Sequence, residues 1–179
     1  MPISRIFVGN LGEATKPDAL KAALAEFISM IFFVFPAEGC VLLFTQMIKM
    51  DGQATLMITA SLSHAFGFFV TVAVGLNISG DHVNPAVTFG AFVGSHITFF
   101  RSILYWIAQL LGSVAAIYLL KFATNGLVMP LKVSAHPPQS PWHAVIYEIV
   151  MIFLVYTYYA TVFDPKKGNM GIIAQLQLV

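Results

Sequence analysis

The sequence predicts an all-α integral membrane protein, a helical bundle with one short helix that enters the membrane without crossing it. Of its 179 residues, 58% are hydrophobic and only 9% are charged. A soluble domain carries about 25% charged residues to solvate its surface, so this composition excludes an ordinary soluble protein. The hydrophobic residues also fall into separate runs long enough to cross a bilayer, which is typical of membrane-spanning helices.

Charge and cysteine content exclude several other classes of protein. The formal net charge is +1, so no basic surface indicates nucleic-acid binding. The single cysteine, Cys40, cannot form an intramolecular disulfide or a cysteine zinc cage, and we expect neither a metal site nor a cofactor. Residues 1–21 lack the apolar run of a cleaved signal peptide and are predicted to form an amino-terminal segment outside the membrane.

Residues 22–179 are predicted to form one membrane domain. Each of four apolar segments is close to the roughly 20 residues that a helix needs to span the hydrocarbon core. The predicted spans cover residues 22–46, 56–78, 102–122 and 142–163. The last residues, GIIAQLQLV, are apolar enough to begin a fifth span but too few to complete it.

The short segment between the second and third spans predicts a re-entrant half-helix over residues 84–94. Its apolar stretch, residues 87–94, would rise only about 12 Å as a helix and cannot cross the membrane. Asn84 is a favoured N-cap and Pro85 suits the first helical position, so the helix should begin there, with Ala86 following. Its amino-terminal end would offer donors to a polar molecule and repel cations.

The distribution of lysine and arginine predicts the orientation, because short cytoplasmic loops retain positive charge. Six basic residues fall on one side of the predicted spans and three on the other. The majority side therefore holds the amino terminus and the Asn84 loop, and we expect it to be cytoplasmic. The six are Arg5, Lys16, Lys21, Arg101, Lys166 and Lys167, and the three are Lys49, Lys121 and Lys132.

Two glutamates near the starts of the first and fourth spans indicate an inverted internal repeat. AEFISMIFFVF contains Glu26 and YEIVMIFLVY contains Glu148, an offset of 148 minus 26, or 122 residues. The same offset from Asn84 places a second re-entrant loop at about position 206. Because the sequence has 179 residues, the repeat predicts that the chain is truncated. Intramembrane glutamates are functional candidates: either structural acceptors for loop N–H groups or members of a proton relay.

Several stretches resemble the aquaporin, or major intrinsic protein, family. These are SGDHVNPAVTFGAF, YWIAQLLGSVAA, EIVMIFLVYTYYAT and DPKKG, while MPISRI and PDALKAALAEFIS resemble plant tonoplast intrinsic proteins of the gamma type. The resemblance implies a six-helix channel with two Asn-Pro-Ala half-helices meeting in mid-pore. It also implies assembly as homo- or hetero-tetramers in the vacuolar membrane and passage of water and small neutral solutes.

The same resemblance assigns roles to single residues. Asn84, Pro85 and Ala86 match the first Asn-Pro-Ala signature, His64 matches a selectivity-filter histidine, and Glu26 and Glu148 match loop-bracing glutamates. The sequence departs from the family pattern at three places: Asp81 replaces a usual glycine, Pro36 replaces a usual alanine, and the residues after Ala174 diverge. A second Asn-Pro-Ala and the rest of the filter are not in the sequence.

Three functions follow as alternatives. The first is a passive aquaporin-type channel, impaired when residues 1–179 act alone because one half-helix is missing. The second is a truncated, non-conducting subunit that associates with full-length channels. The third is a proton-coupled transporter that uses Glu26 and Glu148. We expect no enzyme, since no Ser-His-Asp or paired-carboxylate arrangement of usable spacing is present.

Overall fold

The computed structural model describes residues 8–47, 53–127 and 141–162, and all regular structure within these ranges is helical. The predicted all-helical membrane class is therefore confirmed. The predicted start of a fifth span and residues 1–7 lie outside the described ranges. After a 3₁₀ turn at Leu11–Glu13, the helices are α1 (Pro17–Met47), α2 (Gln53–Ser79), α3 (Pro85–Val93), α4 (Phe99–Ala123) and α5 (Pro141–Val162).

Among the described residues, three helices are long and apolar enough to cross a bilayer: Pro17–Gln46, Thr55–Ser79 and Phe99–Ala123. Within α5, the stretch Val145–Leu154 forms a shorter apolar helix. The outward faces of α1 and α2 expose apolar side chains four residues apart, the spacing that places them on one helical face. These faces suit contact with lipid, and they are formed by Leu20, Leu24, Ile28 and Phe32 on α1 and by Leu62, Phe66, Val70, Val74 and Ile78 on α2.

Helix α1 packs against α2 on one side and α4 on the other, and glycines permit both close approaches. A Cβ atom added at Gly112 of α4 would lie 2.5 Å from the Phe27 carbonyl oxygen and 2.8 Å from the Met30 Cβ atom. A Cβ at Gly67 of α2 would lie 3.3 Å from the Phe33 carbonyl oxygen. Because packing between apolar membrane helices depends on such close contact, these positions set the bundle geometry.

Helix α3 is the predicted half-helix, and its nine residues rise only about 13 Å. The chain reaches it from α2 through a sharp loop in which Gly80, Asp81 and Val83 all have positive φ. After α3, Thr98 caps α4 by accepting a hydrogen bond from the Arg101 backbone N–H. The segment that contains the half-helix therefore leaves the end of α2 and returns to the start of α4.

Candidate functional site

The amino-terminal end of α3 is built by the residues predicted to form it. Asn84 has extended backbone angles, φ −152° and ψ 125°, and its Oδ1 accepts a hydrogen bond of 2.7 Å from the Ala86 N–H. Pro85 occupies the first turn, where its missing N–H costs no hydrogen bond. The Trp106 Nε1–H of α4 donates to the Pro85 carbonyl at 2.9 Å. The helix end is thus capped, anchored to α4 and oriented with its positive dipole end at Asn84.

Glu26 of α1 holds the loop that precedes this helix. Its side chain is fully buried, and Oε1 accepts the His82 backbone N–H at 2.9 Å. Oε2 accepts the Val83 backbone N–H at 2.9 Å and the Gln109 Nε2–H at 2.8 Å. One carboxylate therefore satisfies two loop donors and one side-chain donor, so its burial is compensated by charge-assisted hydrogen bonds.

Polar side chains from α3 and α4 extend this network. Gln109 Nε2 also donates to Thr88 Oγ1 at 2.9 Å, and Thr88 Oγ1 lies 3.1 Å from His82 Nδ1. Burial lowers the pKa of His82. The Tyr105 hydroxyl donates to the Ser79 carbonyl at 2.8 Å and ties α4 to the end of α2. The sequence analysis did not identify Gln109, Thr88 or Tyr105. A glutamine or a threonine inside an apolar helix does indicate a buried hydrogen bond, because buried polar side chains need a partner.

Asp81, which replaces the usual glycine, lies in the same loop with an unfavourable backbone conformation and a buried side chain. Its φ is +47°, a left-handed conformation that suits glycine, and it is only 2% exposed. It occupies the space beside Gly75, where a Cβ atom would collide with it. Ser29 lies close by, yet neither carboxylate oxygen has a hydrogen-bond partner of normal geometry. Burial raises the pKa of Asp81 to about 7, against a smaller lowering by Ser29.

His64 lies on α2, away from α3. Its Nδ1 is 2.8 Å from the Ala60 carbonyl oxygen in the preceding turn, and its Nε2 is 3.5 Å from Oε1 of Glu38 on α1. The Phe33 ring meets the imidazole edge-on with a centroid distance of 5.9 Å. The histidine is therefore held at the interface between α1 and α2, and sequence reasoning gave Glu38 no role.

An open groove of about 690 Å³ runs between α3 and α5. Its polar residues, Asn84 and Glu148, are set among apolar side chains, an arrangement typical of a site that orients a small polar molecule. Glu148 is exposed and forms no hydrogen bond within the described ranges, in contrast to Glu26. Its loop-bracing role stays a prediction. The lining residues are Asn84, Pro85, Ala86, Phe89, Gly90, Val145, Glu148, Ile149, Ile152 and Phe153.

The structure thus brings four of the six predicted site residues, Asn84, Pro85, Ala86 and Glu148, to one groove. Glu26 accepts hydrogen bonds from the His82 and Val83 N–H groups, in the loop that leads to the α3 members of this set. His64 does not line this groove.

Comparison with known proteins gives consistent matches along the chain. Residues 13–179 match the family model described as major intrinsic protein. The chain is 55% identical to Aquaporin TIP1-2 of Musa acuminata and 54% identical to Aquaporin TIP1-1 of Arabidopsis thaliana. Each alignment covers 99% of this chain and 71% of the relative.

Proposed function

This chain belongs to the major intrinsic protein family, a family of channels and not of enzymes, and from that premise we propose that it contributes one half of a passive pore for water and small neutral solutes. The observation that carries the proposal is the groove beside α3. The positive end of a capped half-helix lies there, within an otherwise apolar wall. Such an end attracts the oxygen of a neutral polar molecule and repels cations.

The hydrogen-bond inventory of Asn84 explains how water would be oriented. Its Oδ1 is engaged in the cap, so the side-chain Nδ2 donors remain for a molecule in the groove. Water that accepts from Nδ2 while it crosses the dipole end would turn its oxygen toward α3. The apolar side chains opposite supply few competing partners, which favours passage over tight binding.

The remaining predicted residues take supporting roles in this proposal. Glu26 braces the loop before α3, and its bonds to two loop N–H groups support that role. Glu148 would brace the equivalent loop of the second repeat. His64 would line a narrow filter, so the proposed pathway passes both the α1–α2 interface and the α3–α5 groove.

A location in the vacuolar membrane, or tonoplast, is supported by the TIP names of the relatives. We place the amino terminus in the cytoplasm on the six-to-three distribution of lysine and arginine. The structure brings the start of α1, with Lys16 and Lys21, to the same end as the start of α4 with Arg101, since Gly9 packs against Thr98. We also propose assembly into tetramers, from this chain alone or with related channels.

A second candidate function is a non-conducting subunit that associates with other channels of the family. The observation that favours it is the open side of the α3–α5 groove, where residues 1–179 supply a single Asn-Pro-Ala sequence. A pore closed by two half-helices needs the other from further residues or from a neighbouring subunit. Backbone donors at the tip of a half-helix are costly to leave against lipid, which gives such association a driving force.

Stopped-flow shrinkage of proteoliposomes tests both candidates. One preparation contains residues 1–179, and a second contains a chimera of residues 1–162 joined to the remaining carboxyl-terminal part of the Arabidopsis relative. We expect the chimera to shrink well above the rate of empty vesicles and residues 1–179 to stay near it. A chimera no faster than empty vesicles would contradict the channel proposal. A change in the relative's own permeability when residues 1–179 are added would favour the subunit candidate.

A further inference from the structure

Glu38 is a charged side chain in the carboxyl-terminal third of the membrane-spanning helix α1, and the proposed function leaves it without a role. It lies on α1, and its carboxylate oxygen Oε1 is 3.5 Å from Nε2 of His64 on α2. The two side chains are 31% and 42% exposed. Charge within a membrane span is costly and is retained where it has a partner, so this pair calls for a functional explanation.

The surroundings of the imidazole ring define which of its nitrogens carry hydrogen. Nδ1 faces the Ala60 carbonyl oxygen at 2.8 Å, and a carbonyl oxygen can only accept, so Nδ1 must be the donor. Nε2 faces the Glu38 carboxylate, which also only accepts when it is ionised. Both contacts are favourable together when the ring donates from both nitrogens and carries a positive charge.

The packing of α1 against α2 fixes this pair in position. Gly67 lets α2 approach the Phe33 carbonyl, and Ser63 Oγ donates to the Ala37 carbonyl at 3.2 Å across the same interface. The edge of the Phe33 ring covers one side of the imidazole. Within the described ranges, the imidazole ring has two polar neighbours: the Glu38 carboxylate of α1 and the Ala60 carbonyl of α2.

We infer that Glu38 is a positioning residue that sets the selectivity of the proposed pore, because it holds His64 in one orientation as a doubly protonated ring. This inference rests on the proposed function, in which His64 lines the pathway. A ring fixed between the Ala60 carbonyl and the Glu38 carboxylate cannot swing into or out of the constriction. The free width beside it, and therefore the largest solute admitted, then depends on Glu38.

Nitrogen-15 NMR of the histidine side chains tests the inference on residues 1–179 in lipid nanodiscs. The chain contains five histidines, and the His64 signals are those lost in His64→Phe. At pH 7 we expect both His64 ring nitrogens to resonate as protonated nitrogens. In Glu38→Gln, which keeps the side-chain shape but removes the charge, we expect Nε2 to lose its proton. Ser61→Ala is the control, because it removes a hydrogen bond of the same helix, from Ser61 Oγ to the Met57 carbonyl, without changing a partner of the ring.

Three results would overturn the inference: an unprotonated Nε2 in the unsubstituted chain, an unchanged spectrum in Glu38→Gln, or the same spectral change in Ser61→Ala. A permeability measurement on the chimera gives a separate test. There, Glu38→Gln should raise the ratio of glycerol to water permeability by about two- to fivefold, because the loss of a partly exposed ion pair raises the fraction of His64 rings turned out of the constriction by about that factor. An unchanged ratio contradicts the selectivity role, whereas a chimera that passes no water contradicts the proposed function itself.

Discussion

Glu26 is the residue on which the position of the half-helix most depends. It is fully buried and accepts hydrogen bonds from two loop N–H groups and from Gln109. We expect Glu26→Gln to lower the free energy of unfolding by about 2–3 kcal/mol. The NH2 group of glutamine can only donate, so it would face N–H groups that also donate and would leave them without an acceptor. Unfolding of residues 1–179 by SDS in mixed micelles measures this loss.

Glu148→Gln is the matched control for that prediction. The Glu148 side chain is exposed and forms no hydrogen bond within the described part of the chain. Its substitution should change the unfolding free energy by less than about 0.5 kcal/mol, as is usual for exposed positions. Equal losses in the two variants would show that the hydrogen bonds of Glu26 do not stabilise the loop.

Substitution of Asp81 should raise the stability of the protein, in contrast to substitution of Glu26. Two features oppose folding: the left-handed backbone of Asp81, and the burial of its carboxyl group, whose oxygens make no hydrogen bond of normal geometry. Asp81→Gly should therefore raise the unfolding free energy at pH 7 by about 1–3 kcal/mol. Asp81→Asn should recover part of this gain, since asparagine tolerates the backbone conformation and removes the charge. A loss of stability in Asp81→Gly would mean that the carboxyl group has a stabilising partner.

The same residue predicts a pH dependence. The pKa of Asp81 rises from its usual 3.8 to about 7, with burial as the main cause. Between these values the folded state binds more protons than the unfolded state, so stability falls as pH rises through this window. The gain from Asp81→Asn should therefore be small near pH 4 and largest at and above pH 7. A gain that does not vary with pH would contradict the burial of this carboxyl group.

At the level of the helices, the α1–α4 contact depends on Gly112. An added Cβ atom would lie 2.5 Å from the Phe27 carbonyl oxygen, which belongs to the helix backbone and cannot move aside. We expect Gly112→Ala to cost about 1–3 kcal/mol in SDS unfolding. Gly39→Ala is the control, because its Cβ would meet only the end of the flexible Leu120 side chain at 3.2 Å. Equal costs would show that the α1–α4 distance is not fixed by Gly112.

The helices could be predicted because their signals are local. Apolar length indicates a span, and an asparagine followed by proline indicates the start of α3, whatever the rest of the chain does. A carboxylate in an apolar run marked Glu26 as a functional candidate, either a structural acceptor or part of a proton relay, and the family resemblance gave it the loop-bracing role.

The rest of the network depends on contacts between distant segments. Gln109 reaches Glu26 across 83 positions of sequence, and its partner Thr88 belongs to a third helix. A glutamine or threonine inside an apolar helix can also bond to its own backbone, so its type alone does not predict a partner. The left-handed conformation of Val83 is likewise unpredictable, since valine rarely adopts it and the hydrogen bond that its N–H donates to Glu26 joins distant parts of the sequence.

For the whole molecule, the charge distribution predicts which ends of the helices face the cytoplasm. Lys16 precedes α1 and Lys121 lies in the last turn of α4, so the bundle places them on opposite sides of the membrane. Cysteines introduced at these positions, with Cys40→Ser as background, should react with an impermeant reagent from opposite sides of sealed vesicles, Lys16→Cys from the cytoplasmic side. Labelling of both from one side would contradict the arrangement of the spans.

The central claim is that water passes along the groove beside Asn84, Pro85 and Ala86. The most direct test is the water permeability of the chimera carrying Ala86→Cys and Cys40→Ser, measured by stopped flow before and after a mercurial reagent. Ala86 lines the groove, so we expect permeability to fall to near the level of empty vesicles and to recover when a thiol removes the mercury. The chimera with Cys40→Ser alone should be unaffected. Water flow that persists unchanged after Ala86→Cys is labelled would contradict the claim.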